Sequence, residues 1–258
     1  MKITVITATF NSGKTVRDTI ESVLRQTYQE IEYLIIDGGS KDNTMDIVKE
    51  YELLFEGRLR YISEPDKGIY DAMNKGIRMA TGDVVGLLNS DDFYTSSDVL
   101  QQVADVMADE SIDAVYGDVH YVNEDNLDVC VRYYTSRPFH RSWMRFGFMP
   151  AHPSFYCRRK IYEKYGVFDT SYKVAADFEN LLRLIFVNRI HIKYISTDFV
   201  TMRMGGASSS GLKSHKQIMQ DHLRALQSNK VYSNILLLGL RYPYKVCEII
   251  WTKMNKLK

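Results

Sequence analysis

An apolar run, Val84-Val85-Gly86-Leu87-Leu88, ends abruptly in Asn89-Ser90-Asp91-Asp92. Two adjacent carboxylates at the mouth of a strand repel each other unless a positive charge sits beside them. A hard divalent cation, Mg2+ or Mn2+, meets that need, because it takes one or two carboxylates and fills its shell with phosphate oxygens and water. The competing reading is a strand-to-helix turn in which Asp91 or Asp92 caps the helix that follows. Three other apolar stretches also end in polar clusters: Thr7-Ala8-Thr9-Phe10-Asn11, Asp37-Gly38-Gly39-Ser40 and Glu64-Pro65-Asp66-Lys67-Gly68. Ligands of parallel α/β sheets gather outside the carboxyl ends of the strands. Four polar ends in succession therefore favour one shared site over four separate helix caps.

The elements that must carry these ends are legible from periodicity. Residues 3–9, 31–37, 59–62 and 84–88 are short, β-branched and nearly all apolar, as strands buried on both faces are. Between them, Val16, Ile20, Val23 and Leu24, then Ile47, Val48 and Tyr51, then Ile69, Met73, Ile77 and Ala80 recur at helical spacing. Such alternation predicts an α/β fold, a mostly parallel sheet flanked by helices on both faces. The second half is less regular. Residues 114–119 read as a strand, 118–134 as an antiparallel extension and 152–156 as another strand leading into a helix over 159–165. A helix follows over 176–185, then a strand over 191–204 and a Gly/Ser-rich loop from Gly205 to Gly211.

Composition narrows the function classes. With 33 Lys and Arg against 32 Asp and Glu, the 258-residue chain carries a formal charge of +1, so no nucleic-acid partner is expected. Cys130, Cys157 and Cys247 lie far apart without metal-ligand spacing and read as reduced thiols. The chain enters its first strand at once, with no leader pattern and no long apolar run, so the expected location is cytoplasmic. Residues 235–240 are apolar, and Arg241, Tyr242, Tyr244, Lys245, Ile249, Ile250, Trp251, Lys253, Lys256 and Lys258 mix aromatic, apolar and basic groups. That mixture suits a helix lying in a membrane interface. A helix packed on the domain or on a second copy of the chain, in a homodimer, is the alternative.

The ordered set of Thr-Ala-Thr-Phe-Asn at 7–11, Ile-Ile-Asp-Gly-Gly-Ser-Lys-Asp-Asn-Thr at 35–44, Glu-Pro-Asp-Lys-Gly-Ile-Tyr-Asp-Ala-Met-Asn-Lys-Gly at 64–76 and Asn-Ser-Asp-Asp at 89–92 resembles family 2 glycosyltransferases of the GT-A fold, of the bacterial surface-polysaccharide type. The resemblance is dense through Asp92 and thinner from His152 to Gly211. It implies a GT-A domain over residues 1–212, with a nucleotide-binding half at 1–118 and an acceptor half at 119–212. Residues 213–258 form a C-terminal helical appendage.

The resemblance also assigns roles. Asp37 accepts the N3–H of uracil, which favours a UDP-linked donor; Thr9 and Asn11 line the base or ribose. Asp66 approaches the base or ribose, with Lys67 near the diphosphate. Asp91 and Asp92 stand at the metal motif usually written Asp-x-Asp, whose first position is Asn89 here. Asp92 binds Mn2+ or Mg2+ directly, and Asp91 contacts metal or ribose. Asp177 is the general base of an inverting single displacement, although Ala176 precedes it where the family usually has Glu; Glu179 is the alternative. His152 lines the acceptor pocket, and Arg203 with the Gly205–Gly211 loop closes over the diphosphate. The implied acceptor is a glycan on a lipid carrier, met at the cytoplasmic face of the inner membrane, in O-antigen, capsule or exopolysaccharide assembly. Two rivals are a sugar nucleotidyltransferase, for which Thr9-Phe10-Asn11-Ser12-Gly13-Lys14 makes a poor phosphate loop, and a non-catalytic nucleotide-binding scaffold.

Overall fold

The computed structural model describes residues 1–205 and 211–255. Its centre is one mixed sheet. Strands β1 (Ile3–Thr9), β2 (Ile31–Asp37), β3 (Leu59–Ser63) and β4 (Val84–Leu87) are parallel and lie in the order β3-β2-β1-β4. The order reverses at β1, which leaves a crevice at the carboxyl ends where β1 and β4 part. Beyond β4, the sheet turns antiparallel through β8 (Tyr156–Arg158) to β6 (Ala114–Asn123). β9 (Ile192–Arg203) runs parallel to β6 and antiparallel to β5 (Phe93–Tyr94), and β7 (Asn126–Tyr134) forms a hairpin on β6. Residues 152–156 correct the sequence reading. His152–Ser154 is a 3-10 turn with Pro153 inside it, and pairing starts only at Tyr156, because proline has no N–H to give a ladder.

Alternation along each strand splits the core in two. Ile3, Val5, Ile31, Tyr33 and Ile35 face one cluster, with Val16, Ile20 and Val23 of α1 (Val16–Leu24), Ile47 and Val48 of α2 (Thr44–Tyr51) and Leu100 and Val103 of α4 (Val99–Met107). Ile6, Ala8, Leu34 and Ile36 face the other, against Met73 and Ile77 of α3 (Ile69–Met79) and Ile161 of α5 (Arg159–Tyr165). The same cluster takes in Phe178 and Leu181 of α6 (Ala176–Leu181), Ala225 and Leu226 of α7 (Gly211–Ser228) and Leu238 of α8 (Ile235–Gly239). The segment after residue 212 thus joins the domain through a shared core. α9 (Arg241–Asn255) follows and lies along β7.

Where β4 meets β8, a side chain on Gly86 has no room. A Cβ there would stand 2.0 Å from Tyr156 Cε1. Tyr156 is fully buried, and its hydroxyl is hydrogen-bonded to that of Tyr94. Overpacking of this kind costs about 1–3 kcal/mol. Gly86→Ala is therefore expected to lower the urea midpoint by that amount of stability, and an unchanged midpoint would show that the β4–β8 seam can open.

Candidate active site

The strand ends converge because their loops are tied to one another. Asn11 takes a left-handed conformation, φ 50°, and its N–H donates to Ser40 Oγ at 2.7 Å. Its side-chain Oδ1 accepts the Lys41 N–H at 2.8 Å. The N–H groups of Ser12 and Gly13 donate to Thr44 Oγ1 and Asp42 Oδ2 at 2.8 and 2.9 Å. With these amides engaged, the loop cannot cradle a triphosphate, and the nucleotidyltransferase alternative loses its support. Asp37 is wholly buried. Its Oδ2 accepts from the Gly39 and Ser40 N–H groups at 3.2 and 3.0 Å and from the Ser63 hydroxyl at 2.6 Å, while Oδ1 accepts from the Ser40 hydroxyl. The carboxylate thus organises the turn after β2. Thr9, its register partner across β1, buries an Oγ1 that has no protein partner.

Asp66 is half-buried, with Oδ1 accepting the Gly68 N–H at 2.8 Å. Its Oδ2 would lie 2.6 Å from a Cβ on Gly38, so only glycine lets the β3 loop fold back over the β2 turn. The ring of Phe10 borders the same spot and is 61% exposed. Sequence reasoning passed over Phe10; a lone aromatic inside a polar strand end was its signal. Lys67 is exposed.

Asp91 and Asp92 occupy the crevice between β1 and β4. The loop is pinned from α1: Thr15 Oγ1 donates to the Ser90 carbonyl at 2.8 Å, Thr19 Oγ1 donates to the Asp92 carbonyl at 2.7 Å, and the Ser12 and Ser90 hydroxyls bond at 2.8 Å. Asp92 is 1% exposed, and its Oδ2 accepts from Asn89 Nδ2 at 2.8 Å. Burial first, and then the Asp91 charge, hold the Asp92 carboxyl well above the usual carboxylate range; burial also raises Asp91. Arg203 eases this only in part, because its guanidinium donates to the Asp91 main-chain carbonyl, pairs with Asp18 and lies over Phe93 at 5.0 Å. Arg203 therefore braces the loop instead of standing free over a diphosphate. The remainder of the expected lid, residues 206–210, lies outside the described residues. No cluster of three or more His, Cys, Asp or Glu poised for a metal occurs among the described residues. Two carboxylates short of a counter-charge, with the neutral Asn89 beside them, fit Mg2+ or Mn2+ that takes its other ligands from a diphosphate and water.

A second group of residues lines a cavity of about 250 Å³ between β7, the 147–153 loop, α6, α7 and α9. Asp177 and His152 both face it. Burial raises the Asp177 carboxyl to about 6 against the opposing hydrogen bond from the Phe178 N–H at 2.8 Å. Burial lowers His152 to about 4, so its ring is neutral at pH 7; it meets Phe168 edge-on at 5.6 Å. Glu179 points away, fixed by Arg183 at 3.0 Å and by Asn229 at 3.2 Å, which removes it as an alternative base. Tyr121 lines the same cavity, and burial above all pushes its hydroxyl up, with smaller contributions from the Asp92 and Asp177 carboxylates.

Comparison with known proteins identifies the family and the fold. The model of glycosyl transferase family 2 matches residues 4–172. A PGL/p-HBAD biosynthesis glycosyltransferase of Mycobacterium bovis is 30% identical over 180 residues, 69% of this chain and 68% of that protein. An uncharacterized glycosyltransferase of Mycobacterium tuberculosis is 29% identical and covers 98% of both chains. Among solved structures, S. aureus TarS superposes with a TM-score of 0.66 at 18% identity over 88% of this chain, which spans 40% of the TarS chain. TarS 1-349 has been solved with UDP and with UDP-GlcNAc. A Pyrobaculum calidifontis mannosyltransferase, in complex with GDP-Man and Mn2+, superposes with a TM-score of 0.64 at 15% identity, covering 99% of this chain and 84% of its own. These likenesses establish the GT-A architecture.

The raised carboxyls give a stability signature. An acid whose folded pKa exceeds its unfolded value stabilises the fold at low pH, and that contribution is lost as pH rises through the folded pKa. The metal-free protein should lose stability as pH climbs from about 4, the ordinary carboxylate range. Mn2+ should restore it at neutral and higher pH, and Asp92→Asn should flatten both effects. Thermal melts across pH with and without Mn2+ test this; a metal response in Asp92→Asn equal to that of the unmutated protein would count against the site.

Proposed function

The chain belongs to glycosyl transferase family 2, and on that premise we propose that it moves a sugar, with inversion, from a UDP-linked donor to an acceptor glycan on a lipid carrier in bacterial polysaccharide assembly. The observation that carries this reading is the placement of Asp177 in a cavity that it lines together with His152, its carboxyl raised to about 6 by burial. Phe10 offers an exposed face on which a base can stack. Thr9, Asn11, Asp37 and Asp66 surround that position. Asp37 accepts the uracil N3–H at the cost of the Ser40 hydroxyl, and Lys67 stands at the loop edge toward the phosphates. Asp91, Asp92 and Asn89 would hold Mn2+ or Mg2+, which neutralises charge on the departing diphosphate.

Asp177 does the proton work. Its carboxylate takes the proton of the acceptor hydroxyl as that oxygen bonds to the anomeric carbon. The bond from that carbon to the diphosphate breaks, and UDP leaves. A single displacement turns an α-linked donor into a β-linked product. His152, uncharged and facing the same cavity, orients the acceptor through a hydrogen bond. The pKa of about 6 leaves Asp177 mostly ionised at pH 7 while still basic enough to accept a proton.

Asp177→Asn should keep UDP binding and reduce transfer by about 10²–10⁴-fold. In the unmutated enzyme kcat/KM should rise with pH through about 6 and then level off. Transfer by Asp177→Asn at an undiminished rate would remove the residue from the mechanism.

The lipid-linked acceptor draws support from the C-terminal helices. Ile235, Leu236 and Leu240, with Val246, Ile250 and Met254 of α9, are exposed, Leu236 to 82%. No helix among the described residues is long and apolar enough to cross a membrane. An exposed apolar face beside basic residues suits peripheral contact with the inner membrane. Vesicles containing anionic lipid should retain the protein on flotation, and the double substitution Leu236→Glu, Ile250→Glu should release it. Failure of the unmutated protein to float would leave packing on a partner protein as the role of this face.

A further inference from the structure

The cavity that Asp177 lines carries more cations than transfer to a neutral sugar hydroxyl requires. Arg132, Arg241 and Lys245 all line it, with Glu248 beside Arg132. Arg132 is held by Glu248 at 2.5 Å and lies between the rings of Tyr121 and Tyr134, each 5.3 Å away. Arg241 is only 4% exposed. Its Nη1 donates to His222 Nδ1 at 2.8 Å, and its Nη2 reaches the Tyr242 hydroxyl at 3.4 Å. Its Nε is buried with no hydrogen-bond partner among the described residues. Neither Arg241 nor Lys245 has a carboxylate within ion-pair distance among the described residues. His222 cannot help, since burial and the neighbouring Arg241 keep its ring neutral.

A buried guanidinium with an unsatisfied N–H is costly unless an acceptor reaches it. Gly147, in a left-handed conformation at φ 79°, keeps the space open: a Cβ there would lie 3.1 Å from His222 Nδ1 and 3.2 Å from Arg241 Nη1. Lys245 stands at the exposed rim of the cavity; partial desolvation, then the Arg132 and Arg241 charges, draw its ammonium down to about 8, against the Glu248 carboxylate. None of Thr9, Asn11, Asp37, Asp66, Asp91 or Asp92 lines this cavity, whereas Asp177 does. The cations therefore share a cavity with Asp177 and with none of the residues assigned to the donor.

We propose that Arg241 and Lys245, backed by Arg132, bind a phosphate group carried by the acceptor, and so place the neighbouring sugar hydroxyl at Asp177. The assignment rests on the transferase reading above and names the acceptor class within it: a phosphorylated or diphosphate-linked glycan. The guanidinium and ammonium supply charge-assisted hydrogen bonds of the kind phosphate oxygens accept. The apolar face of α8 and α9 beside the cavity suits an acceptor whose phosphate is esterified to a hydrocarbon chain.

Calorimetric titration of octyl phosphate into the protein saturated with UDP and Mn2+ tests this, with octyl glucoside as the neutral control. Octyl phosphate should bind at least tenfold tighter than octyl glucoside. Lys245→Gln should weaken it by about tenfold, and Lys245→Arg should retain it. Arg241→Gln, checked for folding by its melting temperature, should weaken it at least as much. Equal affinity for the two amphiphiles, or equal affinity of Lys245→Gln and the unmutated protein for octyl phosphate, overturns the proposal. Competition between octyl phosphate and UDP also overturns it, because it would assign the cations to the donor. Absence of UDP binding is a separate result that removes the transferase reading itself.

Discussion

The structure depends on the burial of two adjacent carboxylates in the crevice where β1 and β4 part. Repulsion between Asp91 and Asp92 can be tolerated there only because the main chain around them is over-determined. Ser12, Thr15 and Thr19 grip the loop from the α1 side, Asn89 bonds back to Asp92, and Arg203 reaches from the end of β9 to the Asp91 carbonyl and Asp18. Burial raises both carboxyls, a penalty that a cation bound beside them would relieve.

That constraint links the two halves of the chain. β9 lies parallel to β6 and antiparallel to β5, so the guanidinium of Arg203 arrives beside Asp91 while Met202, one residue earlier, lines the cavity that contains Asp177. Tyr121 on β6 lines the same cavity. The strands added beyond β4 thus bring residues of the second half to the loop of Asp91 and Asp92 on one side and to Asp177 on the other. The α7–α9 segment contributes Ile218, His222, Arg241, Tyr244, Lys245 and Glu248 to the lining of that cavity.

Most of the first half was legible in the chain itself. β1, β2 and β4, with the amphipathic helices between them, follow from apolar periodicity, and Asp37, Asp66, Asp91 and Asp92 follow from where those periods stop. The second half was less so. His152–Ser154 reads as strand from its apolar neighbours, yet Pro153 enforces a turn. Arg203 reads as closing over a diphosphate with the Gly205–Gly211 loop, and nothing in that reading foretells its pairing with Asp18, a residue 185 positions away in sequence. Phe10 was hidden because a single exposed aromatic leaves no periodic trace.

Sequence alone determined the order of β1 to β4 and of α1 to α3 between them, and the polar residues at those strand ends. Each of these depends on local periodicity or on neighbouring residues. Tertiary structure decided that Glu179 is locked to Arg183 while Asp177 faces a cavity, that Asp37 is satisfied by its own turn and by Ser63, and that α9 brings Arg241 and Lys245 to the cavity of Asp177. Charge, burial and pKa at those positions arise from contacts between segments far apart in the chain. No spacing along a single segment encodes which of two carboxylates will be paired and which left to take a proton.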